Sequence, residues 1–116
     1  MNQSTITIDV ILDEQRVPEE IQWAATDSTA AMKQKAKAMM LAFWDSADKS
    51  ALRIDLWTKD MMVDEMADFF YQCMMTMSDT FLRATQNKEL SDEMKAFSKQ
   101  FIKKFKDTQS KENKLT

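Results

Sequence analysis

The 116 residues carry a net charge of −3 and contain no glycine, no histidine and a single cysteine, Cys73. A chain of this length can form one domain around its own core. Phosphate-binding loops and nucleophile elbows that depend on glycine are excluded, and Cys73 has no imidazole base to activate it. We therefore expect a protein that is not an enzyme and has no catalytic, cofactor or metal site.

The expected location is the cytoplasm. The first residues, MNQSTITIDV, lack the basic and apolar regions of a signal peptide, and no apolar run is long enough to span a bilayer. Residues 1–30 carry six acids and one base, whereas residues 91–116 carry seven lysines and four acids. This modest charge asymmetry can orient a protein partner but falls well short of the strongly basic balance of a nucleic-acid binder. We therefore expect a protein partner and no nucleic acid, and the lack of a long apolar run predicts no direct membrane insertion.

The first third of the chain predicts two strands. Residues 4–12, STITIDVIL, alternate with the two-residue period of a half-buried strand. The following DEQR and Val17-Pro18 predict a longer turn rather than a tight two-residue hairpin, because glycine is missing. EIQWA predicts a second strand with Ile21 and Trp23 inward, and Pro18 at its start predicts that this strand lies at the sheet edge or begins only after the proline.

A helix and a third strand are predicted next. Apolar positions recur at three and four residues over 30–44, after a TDST stretch at 26–29 that offers N-cap oxygens. The segment ALRIDLWT then returns to the two-residue period, with Leu52 and Ile54 inward and Trp57 outward.

Two further helices complete the predicted order, ββαβαα. The second helix follows Asp60, carries an apolar stripe from Val63 to Ala84 and ends at Asn87 as a left-handed cap. Ser91 is expected to cap the third helix. We predict a single α+β domain over residues 1–107, with a three-stranded antiparallel sheet in the order 2-1-3, helices on one face, and a disordered tail at 108–116.

Acidic residues at the start of the second predicted helix, Asp60 among them, are better explained by the helix dipole than by a metal or acid–base site. On the outer sheet face, Asp9 is expected beside Arg53 as a register-setting ion pair. The same face would expose Trp57 and Ile11, which suggests a protein contact. The alternative is that Trp57 folds over the sheet end onto its own helix.

The second predicted helix is rich in methionine, a residue common at adaptable binding surfaces. Its apolar residues extend beyond the main stripe, so a homodimer built on this helix or on a sheet edge follows as a hypothesis. The candidate partner-binding residues are Trp57, Ile11, Lys59, Asp60, Met62, Phe69 and Met75.

Six segments give the sequence a resemblance to the gliding-motility GldC family of the Bacteroidetes. They are STITIDVILDE, VPEEIQW, AKAMMLAFWD, LRIDLWTKDM, VDEMADFF and DTFLRAT, with LRIDLWTKDM and VDEM the most specific. The resemblance covers about residues 4–85 and becomes a loose helical similarity beyond Asn87. The family often has proline where this chain has Met62, a change that a helix's first turn tolerates.

The resemblance implies a small, non-enzymatic cytoplasmic accessory protein of gliding motility, a bacterial machinery tied to protein secretion and adhesin movement. Such a protein would act by binding protein partners of that machinery. A second hypothesis is a chaperone-like adaptor whose Met-rich helix holds an apolar segment of a client protein.

Overall fold

The computed structural model describes residues 2–27 and 31–115, and the side chains as far as residue 112. Two compact units divide the chain, residues 1–61 and residues 62–116. The first unit contains β1 (Ile6–Leu12), β2 (Pro18–Ala25), β3 (Gln34–Ala36), β4 (Ala38–Asp45) and β5 (Ser50–Trp57), and the second contains α1 (Val63–Thr85) and α2 (Lys88–Leu115). The α+β class is confirmed, while the single domain over 1–107 stays a prediction.

The strands β1 and β2 form where the sequence predicts them. They pair antiparallel through a loop in which the Asp13 carboxylate accepts hydrogen bonds from the backbone N–H of Gln15 at 2.8 Å and of Val17 at 3.0 Å. Arg16 takes the left-handed φ of 64° that glycine would normally supply in such a turn. The predicted longer turn is therefore present, and hydrogen bonds to the Asp13 side chain stabilise it without a glycine.

The predicted first helix is wrong. Residues 34–36 and 38–45, which overlap most of the predicted helix, are the strands β3 and β4, and residues 28–30 lie outside the described residues. The apolar run AMMLAFWD fits a strand with apolar side chains on both faces as well as it fits a helix, so periodicity alone cannot separate them. Antiparallel pairing along all of β4 with β5 decides in favour of the strand.

The sheet arrangement also differs from the prediction. The described strands form two antiparallel sheets, one in the order β1-β2-β3 and the other β4-β5. The third predicted strand, β5, pairs with β4 rather than with β1, so the single sheet in the order 2-1-3 is not found. The predicted edge position of β2 is also wrong, because β2 lies between β1 and β3. Pro18 is tolerated at its start because β3 pairs only with residues 21–23 of β2. A four-residue loop joins β4 to β5; the Asp45 carboxylate accepts the Ala47 N–H at 2.9 Å, and Lys49 adopts a φ of 52°.

The joint that follows β5, defined as Thr58, Lys59 and Asp60, is fixed by the backbone of the first unit. Thr58 donates its N–H to the carbonyl of Lys37 at 2.7 Å, and Lys59 donates to the carbonyl of Pro18 at 3.1 Å. Thr58 is only 2% exposed. The end of β5 is thereby tied to the start of β2 and to the connection between β3 and β4.

The helical unit begins with α1, near the position that the sequence predicts. The Glu65 carboxylate accepts the N–H of Met62, the residue before the helix, at 3.2 Å. At the other end, Gln86 rather than Asn87 adopts the left-handed conformation, with a φ of 60°. Asn87 instead caps α2, because its side-chain oxygen accepts the N–H of Leu90 at 3.1 Å.

The helix α2 therefore starts earlier than predicted, and Ser91 is not its cap. Ser91 lies within the helix, is 1% exposed, and donates its hydroxyl to the Ser78 carbonyl of α1 at 2.8 Å. Ser78 and Ser98 are also fully buried, so small side chains line the contact between the two helices. The helix is described as far as Leu115 and includes residues 108–115, for which the sequence predicted a disordered tail.

Candidate functional site: a two-tryptophan face

Trp57, a predicted partner-binding residue, is the last residue of β5 and is 56% exposed. It lies opposite Ala38, the first residue of β4. A small cross-strand neighbour leaves the indole without a large side chain beside it. The ring is therefore available for contact on this face of the β4–β5 sheet.

A second tryptophan shares that face. Trp44 lies on β4 opposite Ala51 and is 66% exposed. Side chains alternate between the faces of a strand, and cross-strand partners share a face, so Trp44 and Trp57 project from the same side. The six residues from Ala38 to Trp44 put the two indoles roughly 20 Å apart along the strands.

Between the tryptophans lies an ion pair. Arg53 binds the Asp55 carboxylate with two hydrogen bonds, Nη2 to Oδ1 at 2.9 Å and Nε to Oδ2 at 3.2 Å. Arg53 and Asp55 lie opposite Ala42 and Met40, so all four side chains are on the tryptophan face. We call this surface, Met40, Trp44, Arg53, Asp55 and Trp57, the two-tryptophan face.

The face has an approximate local two-fold symmetry. An axis through the Leu41–Ile54 pair exchanges each residue of β4 with the residue 13 positions later in β5. That operation exchanges Trp44 with Trp57, and Ala38 with Ala51. Two large aromatic groups thus lie at equivalent ends of the face, on either side of a charged centre.

The opposite face of the same sheet is also apolar. It carries Phe43, Leu52 and Ile54, which are all more than half exposed. The two-residue period predicts Leu52 and Ile54 on one inward face; they do share a face, but both side chains are more than half exposed. A two-stranded sheet is marginal on its own, so a ribbon that exposes large apolar side chains on both faces is suited to contacts with other protein surfaces.

Ile11 does not share a face with Trp57. It lies on β1, in the other sheet, beside a register irregularity between Ile11 and Leu12. The expected pairing of Asp9 with Arg53 is likewise wrong, because their strands belong to different sheets. Asp9 instead lies 3.5 Å from the Lys33 ammonium, an exposed ion pair.

Lys59 and Asp60 of the joint have polar partners inside the first unit. The Lys59 ammonium lies 3.1 Å from the Asp13 carboxylate and 3.6 Å from that of Glu19. The hydrogen bond with Asp13 raises the pKa of Lys59. The Val17 N–H, followed by Lys59, lowers the pKa of Asp13. Lys59 therefore holds the β1–β2 turn to the joint, which is a structural role.

An open groove of about 490 Å³ borders the joint and includes Ile11, Glu20, Lys35 and Asp60 in its lining. The hydrogen bond from Lys35 lowers the pKa of Glu20, and the hydrogen bond from the Thr58 hydroxyl lowers the pKa of Asp60. A general acid that works near neutral pH needs a raised pKa. These two carboxylates therefore stay ionised in their ion pair and hydrogen bond.

The remaining predicted site residues lie at or on α1, in the helical unit. Met62 precedes the helix and is exposed, whereas Phe69 and Met75 are half-buried. The structure therefore divides the seven predicted residues among the two-tryptophan face, the joint with its groove, and α1. Sequence reasoning missed Trp44 because it assigned that residue to a helix; the alternation of Met40, Ala42 and Trp44 is the signal that could have found it.

Within the residues that the structure describes, no three Cys, Asp or Glu side chains gather as a metal site would require. Neither α1 nor α2, over the part described, combines the length and the apolar character of a membrane-spanning helix.

Comparison with protein families identifies a family for this chain. The family described as gliding motility-associated protein GldC-like matches residues 18–107, which include β2 to β5, α1 and most of α2. The two-tryptophan face and the joint lie inside the matched region. No curated protein and no solved structure matches the chain significantly.

Proposed function

Because the chain belongs to the GldC-like family of gliding motility-associated proteins, we propose that it is a non-enzymatic accessory protein of gliding motility that binds a protein partner. The two-tryptophan face is the proposed contact surface. Its action in the cytoplasm is part of the same proposal.

The observation that carries the proposal is that Trp44 and Trp57 are both exposed on one face, on either side of Arg53. Tryptophan and arginine are among the residues most enriched where binding energy concentrates in protein interfaces. Large exposed apolar groups at the ends of a charged centre are typical of a contact surface with apolar anchors. The family match indicates the cellular process, and the two-tryptophan face is the proposed surface for binding a protein partner in that process.

The test compares three alanine variants for binding to protein partners captured from gliding cells. Trp44→Ala and Trp57→Ala should each weaken binding by a factor on the order of 30, as expected for the loss of an interface anchor. Trp23→Ala is the matched control, because Trp23 is a partly exposed tryptophan on β2 in the other sheet. Circular dichroism establishes that each variant is folded.

Two results would contradict this proposal. Folded Trp44→Ala and Trp57→Ala variants that bind partners like the wild type, and restore gliding to a strain without the gene, would remove the face from the function. Turnover of a substrate in a general hydrolase or phosphatase screen would overturn the non-enzymatic role.

A second candidate function is a chaperone-like adaptor that holds an apolar segment of a client protein. The observation that favours it is the exposure of two flexible methionines, Met62 before α1 at 61% and Met77 within α1 at 53%. Binding of unfolded apolar peptides, weakened by Met77→Asp, would support the adaptor. Light scattering with and without candidate motility clients measures binding of whole client proteins. A protein that binds neither apolar peptides nor these clients is not an adaptor.

A further inference from the structure

We propose that the apolar face of the α1–α2 hairpin binds a second copy of this chain, with the two α2 helices antiparallel to one another. The face, called here the helical face, consists of Val63, Phe70 and Met77 on α1, and Leu90, Phe97 and Phe101 on α2. This inference goes beyond the proposed function, because it concerns a different unit of the chain.

The two apolar stripes lie on the same side of the hairpin. At about 100° per residue, Phe70 and Met77 lie roughly 90° to one side of the buried Ser78, and Asp79 lies about 100° to the other. On α2, Leu90 and Phe97 lie at similar angles from the buried Ser98, whereas Lys95 lies on the opposite side.

A salt bridge identifies the opposite side. The Lys95 ammonium lies 2.7 Å from the Asp79 carboxylate, so these two flanks of the helices face the same way. The two remaining flanks must then also face the same way. The hairpin is therefore polar on one side and carries the exposed large apolar side chains of both helices on the other.

The helical face is large enough for a dimer. Val63, Phe70, Met77, Leu90 and Phe97 are each between 42% and 68% exposed. With about 150 to 250 Å² for a large apolar side chain, these five residues alone expose roughly 500 Å² per copy. Two copies would bury about 1,000 Å² through these side chains, which reaches the lower limit of a specific interface before the rim is counted.

The spacing of the apolar residues suits helix-on-helix packing. Val63, Met66, Phe70, Cys73 and Met77 follow one another at three and four residues, the repeat that packs helices into bundles and coiled coils. Two hairpins joined through such faces form a four-helix arrangement. The helical face therefore fits a second hairpin of the same kind.

The distribution of charge along α2 favours a second copy of this chain as the partner, with the two α2 helices antiparallel. Residues 88–93 hold three acids and one lysine, whereas residues 95–106 hold five lysines and no acid. An antiparallel α2 from a second copy brings the acidic end of each helix to the basic segment of the other. With the two-fold axis between residues 98 and 99, Glu93 faces Lys104 of the second copy, and both positions lie at the rim of the helical face.

The first test is the molecular mass of the full chain by light scattering over a range of concentrations. A concentration-dependent dimer is expected, and Phe97→Asp should weaken it on the order of tenfold or more. The matched control is Phe43→Asp, because Phe43 is equally exposed but lies on β4. This control variant should dimerise like the wild type.

The second test exchanges charges at the rim. Glu93→Lys and Lys104→Glu should each weaken the dimer at low salt, and the two together should restore it, because the antiparallel pair is rebuilt with reversed signs. Both residues are exposed, so these variants are expected to fold even where Phe97→Asp does not. Restoration by the double variant is expected only if a second copy binds with its α2 antiparallel to the first.

Several results would overturn the proposal. A wild-type chain that remains monomeric at roughly 100 μM would do so, as would a dimer that Phe43→Asp disrupts and Phe97→Asp leaves intact. A double charge variant as weak as the single variants would remove the antiparallel arrangement. A monomer whose helical face binds a different protein would replace the second copy as the occupant.

Discussion

The contact between α1 and α2 depends on small side chains, and Ser91 gives the sharpest test of it. Ser91 is 1% exposed and donates its hydroxyl to the carbonyl of the fully buried Ser78 at 2.8 Å. Ser91→Ala removes this hydrogen bond, which contributes about 1 kcal/mol. The better helix propensity of alanine offsets about 0.5 kcal/mol of that loss. A net destabilisation of roughly 0.5 kcal/mol is expected.

Ser91→Leu should cost more, because two additional heavy atoms must enter a contact with no room for them. Overpacking of this kind costs about 1 to 3 kcal/mol, to which the lost hydrogen bond is added. The measurement is guanidinium denaturation followed by the helical circular dichroism signal. Ser110→Leu, at an exposed position of α2, is the control and should change stability by less than about 0.5 kcal/mol. If Ser91→Leu were as stable as the wild type, the helices would not pack closely at this residue.

Three further predictions concern turns and caps. Lys49→Gly should stabilise the protein by about 1 kcal/mol in thermal denaturation, because the φ of 52° costs a non-glycine residue roughly that much; an unchanged or lower melting temperature would refute this strain. Lys59→Met should destabilise the protein at neutral pH, and titrated denaturation should show the difference shrinking as the pH falls from the ordinary pKa of Asp13 through its lowered value, and as the pH rises from the ordinary pKa of Lys59 through its raised value. A pH-independent difference would contradict the ion pair. Asn87→Ala should cost about 1 kcal/mol by loss of the α2 cap, whereas Asn2→Ala serves as the neutral control.

The signs of the Lys59 prediction follow from the two pKa shifts. The lowered pKa of Asp13 adds stability that is complete above its ordinary pKa and is lost as the pH falls through the lowered value. The raised pKa of Lys59 adds stability that is complete below its ordinary pKa and is lost as the pH rises through the raised value. The ion pair is therefore intact across the range between these limits.

Much of the fold could be predicted from local pattern. The strands β1, β2 and β5 follow the two-residue period, and α1 follows an apolar stripe with acids in its first turn. In each of these elements, the period and the residue types favour the same structure. The family was also predicted from sequence alone, and the GldC-like match over residues 18–107 confirms it.

The region 30–44 could not be predicted because its pattern fits two structures. Methionine, alanine and leucine favour a helix, Phe43 and Trp44 are compatible with a strand, and the pairing with β5 that decides between them is a non-local interaction. Because the pattern predicts a helix over residues 30–44, Trp44 falls outside the predicted site and β5 is predicted to pair with β1. One ambiguous segment therefore accounts for both the incorrect sheet and the missing half of the two-tryptophan face.

The replacement of glycine at left-handed positions has a consequence for how this protein can change by mutation. Arg16, Asp27, Lys49 and Gln86 all adopt positive φ. This conformation costs on the order of 1 kcal/mol for each of these residues except Asp27, because aspartate tolerates it better. Single substitutions to glycine at turns that already exist could recover part of this energy without altering a contact surface. Natural variants of the chain thus have an accessible route to offset one or two destabilising changes, and its binding surfaces can diverge while the fold is maintained.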